Sequence, residues 1–205
     1  MVITIGRQFG AGGRELGKEL ARILGYEYYD KELLTQAAVS AGLNPELFER
    51  ADEKAPSFIS GIFSFNHGMG SYSIYSGSTP ISDENIYGAQ ADLIRHLADT
   101  RNCVIVGRTA DYVLRNRPDV LSVFVHSPIE KRVERILKRQ NEMGRKLTPA
   151  QAISMARKID RLRANYYNFY TDHTWGEAAT YHMSFDSSRM SIPAIAKVIA
   201  TAIGS

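Results

Sequence analysis

The chain has 205 residues, 44% of them hydrophobic and 23% charged, with a formal net charge of +3. These values exclude a disordered chain, and the near-neutral balance argues against a dedicated nucleic-acid binder. Cys103 is the one cysteine, which excludes an internal disulfide framework and fits a reducing compartment.

In chain order, Val2–Gly6 is a short β-branched run that stops at a loop holding Gly10, Gly12 and Gly13. Leu16, Leu20, Ile23 and Leu24 follow at helical spacing, and Gly25 ends that helix. Tyr26–Tyr29 is expected as a second strand ending at Asp30, and helices are expected over 31–41 and 45–52. The stretch 55–83 has no period and is rich in Gly, Ser, Tyr and Phe. It is expected as a long mobile or interface loop, a lid or a homodimer contact rather than a linker. A helix over 84–99, the apolar run Cys103–Val106, a short helix Thr109–Arg115 and a strand Leu121–Val125 come next. Ser127-Pro128 and Thr148-Pro149 start two further helices with proline in the first turn. A strand over Thr180–Phe185 and a helix over Ile192–Ile203 close the chain.

Strands that alternate with helices predict an α/β fold, an open and mostly parallel sheet of about five strands with helices on both faces. One domain over residues 1–205 is expected. No apolar run reaches the ~18 residues that span a bilayer. The start lacks the basic region of a secretory signal, so the expected location is the cytoplasm.

Ligands of such sheets bind beyond the carboxyl ends of the strands, here the Gly10 loop, Gly107-Arg108 and the His126 region. A glycine-rich turn entering a helix presents backbone N–H groups and the positive end of the helix dipole, which suits phosphate. Neither common fingerprint fits. The third glycine of a dinucleotide loop falls on Glu15, and a Walker A loop anchored on Gly12 puts Arg7 at its first glycine, Gly13 at its lysine and Arg14 at its Ser/Thr. Charge is concentrated elsewhere: eleven basic and three acidic residues between Lys131 and Arg163 leave +8 there, against −5 over the rest of the chain. Such a field suggests a phosphate-bearing ligand, and a solvated helix face is the plain alternative.

The segment Gly10–Asp30 (GAGGRELGKELARILGYEYYD) resembles the start of bacterial cytidylate kinases. The resemblance continues in Cys103-Val-Ile-Val-Gly-Arg108-Thr-Ala-Asp111-Tyr, in Ser127-Pro-x-Glu130-x-Arg132, and in Ile159-Asp160-x-x-Arg163-Ala-Asn-Tyr166-Tyr167 with Trp175 downstream. Apart from 55–83 it covers nearly the whole chain. The chain is thereby similar to the cytidylate kinase-like family, a branch of the P-loop nucleoside monophosphate kinases. That resemblance implies a P-loop NTPase-type sheet with a helical basic lid over about 131–170. It also implies ATP and Mg²⁺ as cofactors and a nucleotide or other small molecule as acceptor. On this basis Gly10, Ala11, Gly12, Gly13, Arg14 and Glu15 are expected to hold the donor nucleotide, with Glu15 a candidate to orient a metal-bound water. Arg14, Arg132, Arg157 and Arg161 are the expected catalytic cations; Arg108, Asp111, Asp160 and Arg163 are expected at the acceptor. Arginine suits such work because its planar fork binds phosphate oxygens bidentately.

The loop lacks the usual lysine and Ser/Thr, and Arg14 is the candidate replacement charge. The alternative is a nucleotide-sensing or regulatory protein with a degenerate loop and no transfer; RNA binding through the basic helices is a third reading. Tyr166, Tyr167, Phe169, Tyr170 and Trp175 are expected to pack the long helix rather than stack on a base, and Cys103 to fill the core.

Overall fold

The computed structural model describes residues 1–31, 35–36 and 83–204, with backbone alone over 83–86. The helices expected over 31–41 and 45–52 lie largely outside these residues, and the segment 55–83 lies outside them up to Asp83.

The strands are β1 (Val2–Arg7), β2 (Glu27–Tyr29), β3 (Cys103–Val106), β4 (Val120–His126) and β5 (Met183–Asp186). They form one parallel sheet in the order β2-β3-β1-β4-β5. The central strand β1 pairs with β3 from Val2↔Cys103 to Ile5↔Val106 and with β4 from Val2↔Val120 to Arg7↔Val125. Among the described residues the helices are α1 (Gly13–Leu24), α2 (Asp83–Thr100), α3 (Ala110–Val113), α4 (Ile129–Glu142), α5 (Pro149–Tyr170) and α6 (Ile192–Ala202).

Two apolar layers sandwich the sheet, and the strand period of two divides the side chains between them. Ile3, Ile5, Val104 and Val106 face α1 and α6; Val2, Cys103 and Ile105 face α2 and α3. The burial of Cys103 pushes its thiol up to about 11, as befits a packed core residue. A third, smaller core joins α4 to α5 through Val133, Ile136, Ala152 and Ala156, with Phe9 of the glycine loop against it. None of the described helices is long and apolar enough to cross a membrane.

Local chemistry sets the boundaries. Thr148 and Gln151 form a reciprocal capping box at α5, with Pro149 in its first turn. Pro128 caps α4 from outside, so that helix starts at Ile129. The last strand starts three residues later than expected, because Ala178–Thr180 is a 3₁₀ turn and Tyr181 packs its ring against Phe124 at 4.8 Å. Before the ladder begins at Val123↔Met183, side chains substitute for it: Ser122 N–H donates to His182 Nδ1 at 3.0 Å and His182 N–H to Ser122 Oγ at 3.1 Å.

Gly17 lets α1 approach the sheet. A Cβ there would stand 2.8 Å from Val106 Cγ2 and 2.9 Å from the Tyr28 ring. In an open helix, replacing glycine by alanine stabilises by about 0.5–1 kcal/mol, whereas overpacking costs about 1–3 kcal/mol. Gly17→Ala is therefore expected to destabilise the protein, with a lower urea midpoint; a midpoint at or above that of the wild type would contradict this packing.

Candidate functional site

The chain leaves β1 at Arg7 and enters α1 at Gly13 through Gln8-Phe9-Gly10-Ala11-Gly12, with Gly12 capping the helix at φ 91°. Three arginines from the basic segment donate to carbonyls on alternate residues of this turn. Arg163 Nη1 reaches the Arg7 carbonyl at 3.2 Å, Arg132 Nη1 the Phe9 carbonyl at 3.4 Å, and Arg135 Nη1 the Ala11 carbonyl at 3.0 Å. Asp160 Oδ1 accepts the Phe9 N–H at 2.7 Å, while its Oδ2 pairs with Arg132 in an ion pair whose side chains are 14% and 9% exposed. Ser187 Oγ, held by Arg135 at 2.8 Å, donates a further bond to the Ala11 carbonyl at 2.7 Å. Gln8 ties the other side of the loop, accepting the Ser127 N–H through Oε1 at 3.0 Å.

The carbonyls are thus drawn toward α4, α5 and Ser187. The first N–H groups of α1 have no partner within a helix and carry the positive end of its dipole. They border a cleft of ≈ 300 Å³ lined by the glycine loop and by Arg7, Arg14, Lys31, Arg135, Arg139 and Arg163, with Glu15 and Asp30 as its acids. That volume admits a small ligand, and the excess of cations favours an anionic one. A second recess shares Gly12, Arg14, Glu15, Arg135 and Arg139 and adds Lys18 and Lys138.

The expected site residues divide into groups. Gly10, Gly12, Gly13, Arg14 and Glu15 line the cleft, and Ala11 lies buried behind it, its carbonyl taken by Arg135 and Ser187. Arg14 pairs with the buried Asp30 at 2.8 Å, and the same carboxylate accepts from Tyr28 OH at 3.0 Å. Glu15 stands exposed in the first turn of α1, open to the cleft. Magnesium commonly takes one or two carboxylates together with phosphate oxygens; Glu15 fits that donor set, whereas Asp30 is engaged by Arg14 and Tyr28.

Arg132, Asp160 and Arg163, expected at the reacting groups, hold the loop itself. The structure does not bring Arg157 and Arg161 to the cleft: both are exposed on α5. At about 100° per residue, they lie about 110° around the helix from the face carrying Ala156, Asp160, Arg163 and Tyr167. Arg157 and Arg161 therefore do not form one patch with Asp160 and Arg163.

Arg108 is 9% exposed and stands at φ 61°, between Gly107 at 84° and Thr109 at 50°. Left-handed backbone at two consecutive non-glycine residues costs about 1–3 kcal/mol each, a strain that clusters at functional sites. One turn on, Asp111 accepts from Tyr167 OH at 2.6 Å. Burial pushes the Asp111 carboxyl above the ordinary range, against the opposing pull of that bond, and the Tyr167 phenol also rises, through its own burial and then the Asp111 charge.

Of the aromatics expected to pack, Phe169 departs: it is 61% exposed and meets Tyr170 of its own helix edge-on at 4.9 Å. Tyr167 is buried, Tyr170 stacks on Tyr87 with centroids 4.3 Å apart and planes 2° from parallel, and Trp175 meets Phe124 edge-on at 5.3 Å. Sequence reasoning missed Arg7, Gln8 and Ser187. Arg7 shows in the sequence only as a departure from the first glycine of the Walker A pattern, and Ser187 gives no signal.

The sequence model of the cytidylate kinase-like family matches residues 2–189, and the chain belongs to that family. Its fold is that of the P-loop kinases. An uncharacterized protein from Eubacterium ventriosum is 25% identical, with 100% of this chain and 99% of that one covered and a TM-score of 0.73. Shikimate kinase from Bacteroides thetaiotaomicron is 14% identical over 100% and 99% of the two chains, with a TM-score of 0.56. Shikimate kinase from Acinetobacter baumannii, solved in complex with shikimate, is 15% identical over 98% and 91%, with a TM-score of 0.50. No curated protein matches the chain.

Two outcomes follow from this geometry. Asp160→Ala strands Arg132 and the Phe9 N–H, and is expected to cost about 3–5 kcal/mol in denaturant unfolding, while Arg157→Ala stays within about 0.5 kcal/mol of the wild type. The pH dependence of Asp111 has the opposite sign to that of a paired carboxylate. The native state binds its proton more tightly than the unfolded chain, so its contribution to stability falls as pH rises from 3.8 toward the raised native value. Asp111→Asn is expected to lack this decline; parallel pH–stability curves for the two proteins would contradict it.

Proposed function

We propose that the protein is a phosphotransferase that moves the γ-phosphoryl group of ATP to a nucleoside monophosphate of the cytidylate type, or to another small acceptor. The observation that carries this reading is the glycine loop: its carbonyls are held from behind by Arg132, Arg135, Arg163 and Ser187, and its helix N-terminus opens on a cation-lined cleft. In-line transfer asks little covalent help of a protein; it asks for fixed positions and neutralised oxygens. An acceptor oxygen bonds to the γ-phosphorus as the bond from that phosphorus to the β–γ bridging oxygen breaks. ADP leaves with the bond's electrons, and any acceptor proton passes to solvent.

In this reading Gly10–Gly13 and the start of α1 hold the donor phosphates, with Arg14, Arg135 and Arg139 around them. Glu15 is the residue that would hold Mg²⁺, which supplies charge neutralisation at the phosphate oxygens when bound. Arg108 and Asp111, at the strained turn after β3, belong to the acceptor side. Arg132, Asp160 and Arg163 are positioning residues. The segment over 131–170 serves as lid and loop support together, with Arg157 and Arg161 on its outer surface.

A second reading, a nucleotide sensor without transfer, is favoured by Gly13 at the lysine position and by the engagement of Arg14 with Asp30. One assay separates them: ADP release from ATP–Mg²⁺ over a panel of nucleoside monophosphates and small alcohols. Turnover stimulated by one acceptor, and lost in Arg108→Ala, is the expected result. ATP that raises the melting temperature while no acceptor raises turnover would favour the sensor.

A further inference from the structure

The position that carries lysine in ordinary phosphate-binding loops is Gly13 here, and the structure gives a spatial reason for it. Gly13 does not have a left-handed backbone, so its conformation admits any residue. A Cβ on Gly13 would nevertheless stand 2.6 Å from Arg7 Cβ and 2.8 Å from Arg7 Cγ. The stem of Arg7 already fills the space into which a side chain at 13 would grow. From there the Arg7 side chain runs to the end of β3, where a Cβ on Gly107 would collide with its guanidinium. Arg7 therefore spans the floor of the cleft between the carboxyl ends of the neighbouring strands β1 and β3. This is the crevice where ligands of open parallel sheets bind.

We infer that Arg7 is the phosphate-binding cation of this loop, supplied by the strand before the turn instead of by the first turn of the helix. Its ligand is the phosphate chain of the donor nucleotide, so the assignment rests on the phosphotransferase reading. Its backbone setting suits Arg7 to the task. Its carbonyl is fixed by Arg163 and its backbone by the β4 ladder, which holds the root of the side chain still. Arg14, in the first turn of α1, pairs with the buried Asp30. A planar guanidinium brought in from the floor can take two phosphate oxygens at once, where lysine would offer a point charge.

The arrangement makes a swap testable. Arg7→Met keeps most of the stem and removes the charge; Gly13→Lys adds a lysine where Arg7 leaves no room; Arg7→Gly with Gly13→Lys removes the Arg7 Cβ and Cγ that stand nearest and returns a cation from the helix side. Binding of ATP–Mg²⁺ and, separately, of inorganic tripolyphosphate is measured by calorimetry, and folding is checked by thermal unfolding. A bond from a charged donor is worth about 1.5–3 kcal/mol, so Arg7→Met is expected to weaken both ligands about ten- to a hundredfold. Arg14→Ala is expected to weaken them less. Gly13→Lys alone should unfold at a lower temperature than the wild type, and the double variant should regain both stability and most of the lost affinity. Binding of both ligands by Arg7→Met within twofold of the wild type would overturn the assignment, as would Gly13→Lys that folds and binds as well as the wild type. Tripolyphosphate that binds in an Arg7-dependent way while ATP does not would keep Arg7 as an anion ligand and overturn the nucleotide reading. If the wild type binds neither, both fall.

Discussion

The hydrogen bonds from Arg132, Arg135 and Arg163 to the carbonyls of Phe9, Ala11 and Arg7 are the constraint on which the site depends. A peptide unit held by its oxygen has its N–H direction fixed as well, because the unit is planar. Three guanidinium groups and one carboxylate therefore set the aim of the loop's backbone donors before any ligand arrives. Such preorganisation matters for anion binding, since dipoles fixed in advance cost nothing to reorient when the charge enters. It also gives the dense positive segment a structural task. Part of its charge is spent on the protein's own backbone, a further part, from Arg139 and Lys138, lines the recesses beside the loop, and Arg157 and Arg161 lie exposed on α5.

The ion pair between Arg132 and Asp160 keeps this brace in register. It joins α4 to α5 over their small apolar core, and Asp160 adds the Phe9 N–H. Buried pairs of this kind contribute little net stability against apolar substitutes, and their best-attested use is to specify one arrangement among several. Here that arrangement connects the two helices, the glycine loop and, through Arg135 and Ser187, the end of β5.

The fold was legible in the chain because each strand carries its own pattern. Cys103–Val106 is apolar throughout, as a central parallel strand covered on both faces must be. The weaker edge, β5, was misjudged at its start because Tyr181 and His182 make their contacts through side chains before the ladder begins. The glycine loop and the basic helices were legible as neighbours, but the division of labour among the arginines was not. Arg157 and Arg163 are both basic residues on one helix, and only the packing of Ala152 and Ala156 decides which of them faces inward. Arg7 was harder still, since its meaning lies in empty space at Gly13 and Gly107, and local spacing carries no trace of volumes that other side chains vacate.

That shared volume also constrains how this chain can change over evolutionary time. Arg7, Gly13 and Gly107 occupy one space, so the effect of a substitution at any of them depends on the other two. A lineage with this loop cannot acquire a lysine at 13 in a single step, because the intermediate collides with Arg7. If arginine is lost first, the intermediate has no cation on the cleft floor. On the inference that Arg7 holds phosphate, one path passes through an overpacked protein and the other through one without that cation, which would keep strand-borne and helix-borne versions of the loop apart as separate solutions.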